Sequence, residues 1–238
     1  MKKLREHLEK YEGSRILDVA TGQGTFMSMI ASVYDGFVEM TGIDISDRAI
    51  AAVEKSFSDP RISARKMDVN DMCFEEGYFD ITCLSNSMHH VNDINETIGN
   101  MAKVTMDDGL LIFNEMRRDN DSEKKMTHTY LHHFWAEIDR LNGITHEETL
   151  TKDQIIDVFE KNEDVDIVEY WELETGAGQE IDETAYEWLK NTIDASLKRA
   201  EGKGDYDRLL EEAAGLKKRL KDVGFESASQ VMVVLKKR

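Results

Sequence analysis

The sequence is poor in cysteine and proline, and it contains no long apolar run. Its two cysteines, Cys73 and Cys83, are too few for a disulfide framework. No stretch approaches the roughly 20 apolar residues that a membrane span needs. Residues 1–5 carry charge and lack the apolar region of a signal peptide. We therefore expect a cytoplasmic protein with no membrane association.

Positive charge is also scarce. Lys and Arg total 30 against 48 Asp and Glu, which gives a net charge of −18 over 238 residues. A protein that binds nucleic acid must neutralise phosphates with clustered basic side chains. The basic runs here, at residues 217–221 and 236–238, are short and are typical of the solvated ends of a helix and a strand. We expect no nucleic-acid partner.

The turn after the first predicted strand is the most informative segment. Residues 16–26 form an apolar run that contains Asp18, then a turn of small residues, then a helix that begins near Thr25. Gly22 and Gly24 let the backbone approach a ligand, and the helix N-terminus offers unpaired N–H groups. A carboxylate at this position suits a bound ammonium or hydroxyl group and opposes a pyrophosphate. Asp18 therefore favours a ligand with an ammonium or hydroxyl group over one with a pyrophosphate at this position.

Polar residues also follow the next three predicted strands. Asp44 lies 20 residues after Gly24, where a carboxylate can accept hydrogen bonds from both ribose hydroxyls of a nucleoside. Asp68 follows the third strand, and the fourth ends at Ser85 and Asn86. Beyond the second strand, the predicted strands lie around residues 62–65, 78–86, 109–115, 166–173 and 229–235.

In this order and spacing, the motifs resemble the class I S-adenosylmethionine (SAM) methyltransferase family over about residues 12–116. A dinucleotide-binding dehydrogenase also uses a strand, a glycine turn and a distal acid. Its fingerprint requires a third glycine where this chain has Met27, and its diphosphate would meet the like charge of Asp18. Ala20 replaces the usual first glycine of the family motif, at little cost unless that position needs a positive φ.

The resemblance implies an α/β fold with a doubly wound, mostly parallel seven-stranded sheet and an antiparallel last strand. To this fold we expect the present chain to add a helical cap or insertion. It implies SAM as cofactor and S-adenosylhomocysteine as product. Asp18, Gly22 and Gly24 would hold the methionine part, and Asp44 the ribose. The full set of cofactor-binding residues that it implies is Asp18, Ala20, Thr21, Gly22, Gly24, Asp44, Ile45, Asp68, Val69, Ser85 and Asn86.

The second half of the chain adds helices to this frame. Apolar residues at helical spacing over residues 125–141 predict one helix, with Tyr130, Phe134, Ile138 and Leu141 on one face. About fifty residues between the last two strands carry two apolar stripes, which predict a helical hairpin. We predict a single domain over residues 1–238, with elaborations at about 119–150 and 180–224. The hairpin could cover the substrate pocket, form a homodimer interface or pack on the sheet edge.

Six of the seven histidines lie between positions 89 and 146. The resemblance places the acceptor pocket beside them, at the ends of the fourth and fifth strands. One histidine could be a general base for the acceptor. A second interpretation is a divalent metal bound by His128 and His132 with Glu137, His133 or His146, since i, i+4 imidazoles share a helix face. In a third, the histidines are ordinary polar residues. The catalytic candidates are His89, His90, His128, His132 and His133, and no metal ligand is assigned.

We therefore predict a SAM-dependent methyltransferase that acts on a small molecule. The alternatives are a SAM-binding regulatory or scaffold protein without turnover, and a methyltransferase that acts on protein side chains. DNA base-amino methylation is excluded, because the related enzymes carry a Pro-Pro motif after the fourth strand and Pro60 is the only proline here. The sequence does not identify the acceptor atom.

Overall fold

The computed structural model describes residues 1–174 and 181–238. Within them, the strands are β1 (Arg15–Val19), β2 (Glu39–Asp44), β3 (Ile62–Lys66), β4 (Phe79–Ser85), β5 (Thr105–Met116), β6 (Val165–Leu173) and β7 (Gln230–Lys237). They form one seven-stranded sheet in the order β3-β2-β1-β4-β5-β7-β6. Only β7 runs antiparallel to its neighbours β5 and β6. The predicted fold class is confirmed.

The helices are α1 (Lys2–Leu8), α2 (Thr25–Val33), α3 (Asp47–Ser56), α4 (Ile94–Val104), α5 (Glu123–Leu141), α6 (Lys152–Glu160), α7 (Glu183–Arg199) and α8 (Tyr206–Asp222), with 3₁₀ turns at Val69–Asp71 and Met88–His90. Helix α2 begins at Thr25, as the turn motif predicts. Residue 180, where the late elaboration was predicted to begin, lies outside the described residues. None of the described helices has the length and apolar content needed to cross a membrane.

Successive residues of each strand point to opposite faces of the sheet, and each face is covered by helices. Leu17 contributes to a buried cluster with residues of α4 and α6. Its neighbour Ile16 contributes to a second cluster with residues of α1, α2 and α3. The sheet is therefore buried on both sides, which explains why its central strands read as nearly continuous apolar runs.

The parallel strands place their carboxyl ends at one edge of the sheet. Strand β1 pairs in parallel with both β2 and β4, with Val19 opposite Ile43 on one side and Leu84 on the other. Strand order reverses at this point, which is where open α/β sheets form a ligand crevice. The loops after β1, β2, β3 and β4 therefore meet around one opening.

Helices α5, α7 and α8 pack on one another and form a separate apolar core. Leu131, Phe134 and Ile138 of α5 are buried there with residues of α7 and α8, including Ile193 and Leu209. The predicted hairpin thus packs on α5 rather than on the sheet edge. Most of its apolar residues are buried within the chain, although Trp188 is 62% exposed and Leu210 is 42% exposed. The homodimer stays a prediction, as does the division into one domain.

One residue of the predicted α5 stripe was assigned wrongly. Tyr130 is 43% exposed, and its ring lies 4.9 Å from the guanidinium carbon of Arg219. The buried position is Leu131, three residues before Phe134 and seven before Ile138. Leu131, Phe134 and Ile138 lie within about 60° of one another around the helix axis. Tyr130 lies at the edge of this stripe, about 40° from Phe134 and about 100° from Leu131.

Candidate functional site

Asp18 lies near the end of β1 and is buried, with 1% of its surface exposed. The Thr21 hydroxyl donates to its Oδ2 over 2.6 Å. Its Oδ1 has no hydrogen-bond partner within the described part of the chain. Burial raises the pKa of Asp18 to about 7. The Thr21 hydrogen bond lowers this pKa, and the charge of Asp44 raises it. This carboxyl group therefore titrates near neutral pH.

The turn after Asp18 contains three residues in the left-handed region. Gly22 and Gly24 have φ of 53° and 77°, and Ala20 has φ of 52°. The position of Ala20 thus does need a positive φ, and the alanine carries a strain of about 1–2 kcal/mol. Gly24 caps α2, and a Cβ there would lie 2.8 Å from the Phe57 ring. Gly24 therefore serves the turn and its packing.

Asp44 is fixed by backbone donors on both carboxylate oxygens. Gly22 N–H donates to Oδ2 over 3.0 Å, and Ser46 N–H donates to Oδ1 over 2.9 Å. Each oxygen keeps acceptor capacity for a further donor. Asp68 is exposed, and its Oδ1 accepts from Asn70 N–H over 2.8 Å at the start of a 3₁₀ turn. Both carboxylates are thereby oriented before any ligand binds.

The ends of β4 and β5 are joined by side-chain amides. Asn86, with φ of 48°, accepts at Oδ1 from Met116 N–H over 2.9 Å. The Asn114 amide donates to Ser85 Oγ over 3.0 Å and to Gln230 Oε1 over 2.9 Å. Asn114 Oδ1 is buried and has no partner among the described residues. The sequence analysis missed Asn114 and Gln230, although an amide after a buried run of β5 was a signal like that of Asn86.

A cavity of about 1140 Å³ lies at this edge of the sheet. All the predicted cofactor-binding residues line it except Gly24, namely Asp18, Ala20, Thr21, Gly22, Asp44, Ile45, Asp68, Val69, Ser85 and Asn86. Its volume exceeds the roughly 300–1,000 Å³ of most small-ligand pockets. The loop after α5 and the segment before β7 also line the cavity, with Ile144, Thr145, Ser227 and Ala228. No sequence pattern indicated these two segments.

Two of the five candidate histidines, His90 and His128, line the cavity. His90 Nδ1 lies 3.2 Å from the Thr145 carbonyl oxygen, so Nδ1 carries the proton and Nε2 keeps its lone pair. His128 has the opposite tautomer, because its Nδ1 accepts from Ala228 N–H over 3.0 Å. Burial lowers the pKa of each ring to about 4, and the charges of neighbouring histidines contribute for His90. Both are therefore neutral at pH 7.

The other three candidates lie away from the cavity. His133 Nε2 is 3.0 Å from Thr149 Oγ1, a contact that ties α5 to the following loop. His89 and His132 lie together with His146 behind the wall that carries His90. The structure does not bring His128 into this group, and Glu137 pairs with Arg208 instead. The metal set suggested by helical spacing is therefore not assembled.

Comparison with known proteins agrees with this geometry. Residues 16–109 match the family model described as a methyltransferase domain. The ubiquinone/menaquinone biosynthesis C-methyltransferase UbiE of Citrifermentans bemidjiense is 30% identical over 105 residues, which span 42% of this chain and 45% of that protein. The match thus spans less than half of the relative's length.

Two solved structures have the same fold at low sequence identity. A cyclopropane-fatty-acyl-phospholipid synthase-like protein from Lactobacillus casei has a TM-score of 0.68 and 16% identity, over 99% of this chain and 89% of that one. An S-adenosylmethionine dependent methyltransferase from Mesorhizobium loti has a TM-score of 0.57 and 15% identity, over 100% and 96% of the two chains. Residues 16–109 therefore match a methyltransferase domain, and the chain shares the fold of these two structures.

Proposed function

We propose that this protein transfers a methyl group from SAM to a small-molecule acceptor. One observation carries the proposal: the three strand-end carboxylates, Asp18, Asp44 and Asp68, share a cavity with His90 and His128. In the family that the sequence resembles, such strand-end carboxylates bind the nucleoside and the amino-acid part of the cofactor. The histidines would offer acid–base groups to an acceptor beside it. The cavity volume supports two ligands bound together.

The residues present fit the cofactor. Asp18 Oδ1 and Asn114 Oδ1 are buried acceptors without partners in the described chain, and such atoms suit the N–H donors of a ligand. Asp44 can accept from ribose hydroxyls, and Asp68 with Val69 would hold the adenine. When bound, SAM supplies an activated methyl group. The chain's own residues then have to orient the acceptor, exclude water and take up its proton.

Other residues that line the cavity support the proposal of a small-molecule acceptor. Ile144, Thr145, Ser227 and Ala228 line the same cavity as the three carboxylates. An acceptor would bind among these residues, beside the sheet edge. The net charge of −18 gives no support to a nucleic-acid substrate. A quinone-type acceptor, as in the name of the UbiE relative, belongs in the panel to be tested, with thiols, amines and phenols. A cytoplasmic location stays a prediction.

Titration calorimetry of SAM and S-adenosylhomocysteine tests the cofactor site. We expect both to bind the wild type, and Asp44→Ala to bind about 100-fold more weakly, because it loses charge-assisted contacts of about 2–3 kcal/mol. Asp47→Ala is the matched control, since Asp47 is exposed, pairs with Lys66 and does not line the cavity. Absence of binding to the wild type, or equal weakening in both variants, would contradict the proposal. Binding without turnover across the acceptor panel would favour the regulatory alternative.

His90 and His128 are expected to act differently in turnover. The Nε2 lone pair of His90 can take a proton from an acceptor hydroxyl, thiol or amine, whereas His128 Nε2–H can only donate in the neutral ring. His90→Gln should lower kcat by about 100-fold for such an acceptor, in the range of general-base catalysis. His128→Gln should mainly raise the acceptor KM. Steady-state kinetics on the best acceptor of the panel measures both, and equal effects of the two variants on kcat would refute the assignment.

A further inference from the structure

Three imidazoles from distant parts of the chain meet behind the cavity wall that carries His90, here called the acceptor-side wall. His89 lies in the 3₁₀ turn after β4, His132 on α5, and His146 in the loop after α5. A ring nitrogen of each lies within 4.8 Å of those of the other two. His89 and His146 are each 6% exposed. The group is therefore largely enclosed by protein. The sequence analysis named His132 and His146 as possible metal ligands, but with His128 and not with His89, which comes from a separate segment.

The spacing of two of these rings matches that of ligands on one ion. His132 Nε2 and His146 Nε2 are 3.4 Å apart. Two imidazole nitrogens bound tetrahedrally to Zn²⁺ at 2.0–2.1 Å would be separated by about 3.3–3.4 Å. As a hydrogen bond the same contact is long for N–H donors. The distance therefore favours shared coordination over a direct hydrogen bond.

Carboxylates orient two of the three rings from outside. His146 Nδ1 lies 2.7 Å from Asp139 Oδ2, so Nδ1 carries the proton and Nε2 presents its lone pair towards His132. Asp139 is itself held by Arg199 over 2.6 Å. A histidine that donates its second N–H to a carboxylate is the usual arrangement around a protein-bound metal, where it fixes the tautomer and increases ligand basicity.

The second carboxylate is Glu115, whose Oε2 lies 3.7 Å from His89 Nδ1. Glu115 is 2% exposed, and its Oε1 accepts from Ser87 N–H over 2.9 Å and from Met88 N–H over 3.2 Å. It is thereby anchored beside His89. Two carboxylates next to the three imidazoles offset the charge of a dication in a buried place.

His132 is the ring whose surroundings most need a ligand. Its Nδ1 is buried and has no hydrogen-bond partner among the described residues, and its Nε2 makes only the long contact to His146. A buried polar group without partners is costly. Bonding to an ion through one ring nitrogen would replace the poor contact with a strong one.

We propose that His89, His132 and His146 bind a divalent transition metal, with Zn²⁺ preferred. Three imidazoles suit zinc among the divalent metals, and three protein ligands leave one coordination position for water. The ion would join the turn after β4, helix α5 and the loop after α5. The His90 ring centroid lies 4.4 Å and 4.1 Å from those of His89 and His146, so the ion would also fix the wall that carries His90. The site does not depend on the proposed methyl transfer.

The test uses the full chain, stripped with chelator and titrated with Co²⁺ and then Zn²⁺. We expect one Co²⁺ per chain with the intense visible absorption of a tetrahedral site, displaced by one Zn²⁺. His132→Ala should abolish this absorption. His133→Ala is the matched control, because His133 is the next residue on α5 and lies outside the triad. It should bind Co²⁺ as the wild type does.

A second variant keeps all three ligands. Asp139→Asn should weaken Zn²⁺ binding by about 10–100-fold, as other losses of a carboxylate behind a metal-bound histidine do. If circular dichroism shows that His132→Ala does not fold, the Zn²⁺ affinity of Asp139→Asn tests whether the three histidines bind the metal. The proposal is overturned by lack of saturable binding at micromolar metal, by equal loss in the His132 and His133 variants, or by unchanged affinity in Asp139→Asn.

Discussion

Asp18→Asn is expected to raise the stability of the ligand-free protein at pH 8 and to weaken SAM binding by at least about 100-fold. Burial raises the pKa of Asp18 to about 7 in the folded chain, against a reference value of 3.8. The folded chain therefore holds a proton that the unfolded chain releases. The contribution of this group to the free energy of unfolding falls as pH rises from about 4 to 7, and it stays low above that range.

Asparagine avoids the loss of stability that ionisation of Asp18 causes, because its side chain is neutral at every pH and can still accept a hydrogen bond from Thr21. We expect a gain on the order of 2 kcal/mol at pH 8, which corresponds to a rise in Tm of about 4–8 °C for a chain of this size. Binding should suffer because the ionised carboxylate is the group that suits the cofactor ammonium. Under the proposed function, the protein would keep a destabilising charge at Asp18 because the cofactor needs it.

Thermal unfolding between pH 5 and pH 8, with calorimetric titration of SAM at each pH, measures both effects. The difference in Tm between Asp18→Asn and wild type should grow from pH 5 to pH 8. Wild-type affinity for SAM should rise through pH 7, and that of the variant should stay flat. Asp80→Asn is the control, since it removes the same charge from a residue that accepts from Arg15 N–H and does not line the cavity. A Tm difference that is independent of pH would contradict this account of Asp18.

The clustering of the strand-end carboxylates could be predicted from sequence because it follows from local patterns. Asp18, Asp44 and Asp68 each follow or end a strand, and parallel pairing brings such ends to one edge regardless of the rest of the chain. The conformation of Ala20 could not be predicted in this way. A left-handed alanine is rare, and only the path of the backbone between Asp18 and α2 requires it.

The acceptor side could not be predicted to the same depth, because it depends on contacts between distant segments. Helical spacing paired His128 with His132. In the structure His128 turns to Ala228 before β7, whereas His132 turns to His146. The two residues are one helical turn apart, and this separation is enough to place His128 beside the segment before β7 and His132 beside the loop after α5. His90 lines the cavity, whereas His89, His132 and His146 do not. This difference depends on where the loop after α5 lies.

The second large effect is expected from a substitution in the apolar core that α5, α7 and α8 share. Phe134→Ala should lower the free energy of unfolding by about 3–5 kcal/mol, because Phe134 is fully buried and its removal leaves a cavity between three helices. Tyr130→Ala on the same helix should cost less than about 1 kcal/mol, since it removes only an exposed contact with Arg219. Denaturant unfolding followed by circular dichroism compares the two variants.

Hydrogen exchange should locate the loss of protection in Phe134→Ala to α5, α7 and α8, because these helices share their own apolar core. The sheet strands should keep most of their protection. Since α5 also carries His128 and His132, the same variant should loosen the acceptor-side wall without altering the strand-end carboxylates. Similar costs for Phe134→Ala and Tyr130→Ala would show that the buried stripe of α5 is not the one that contains Leu131, Phe134 and Ile138.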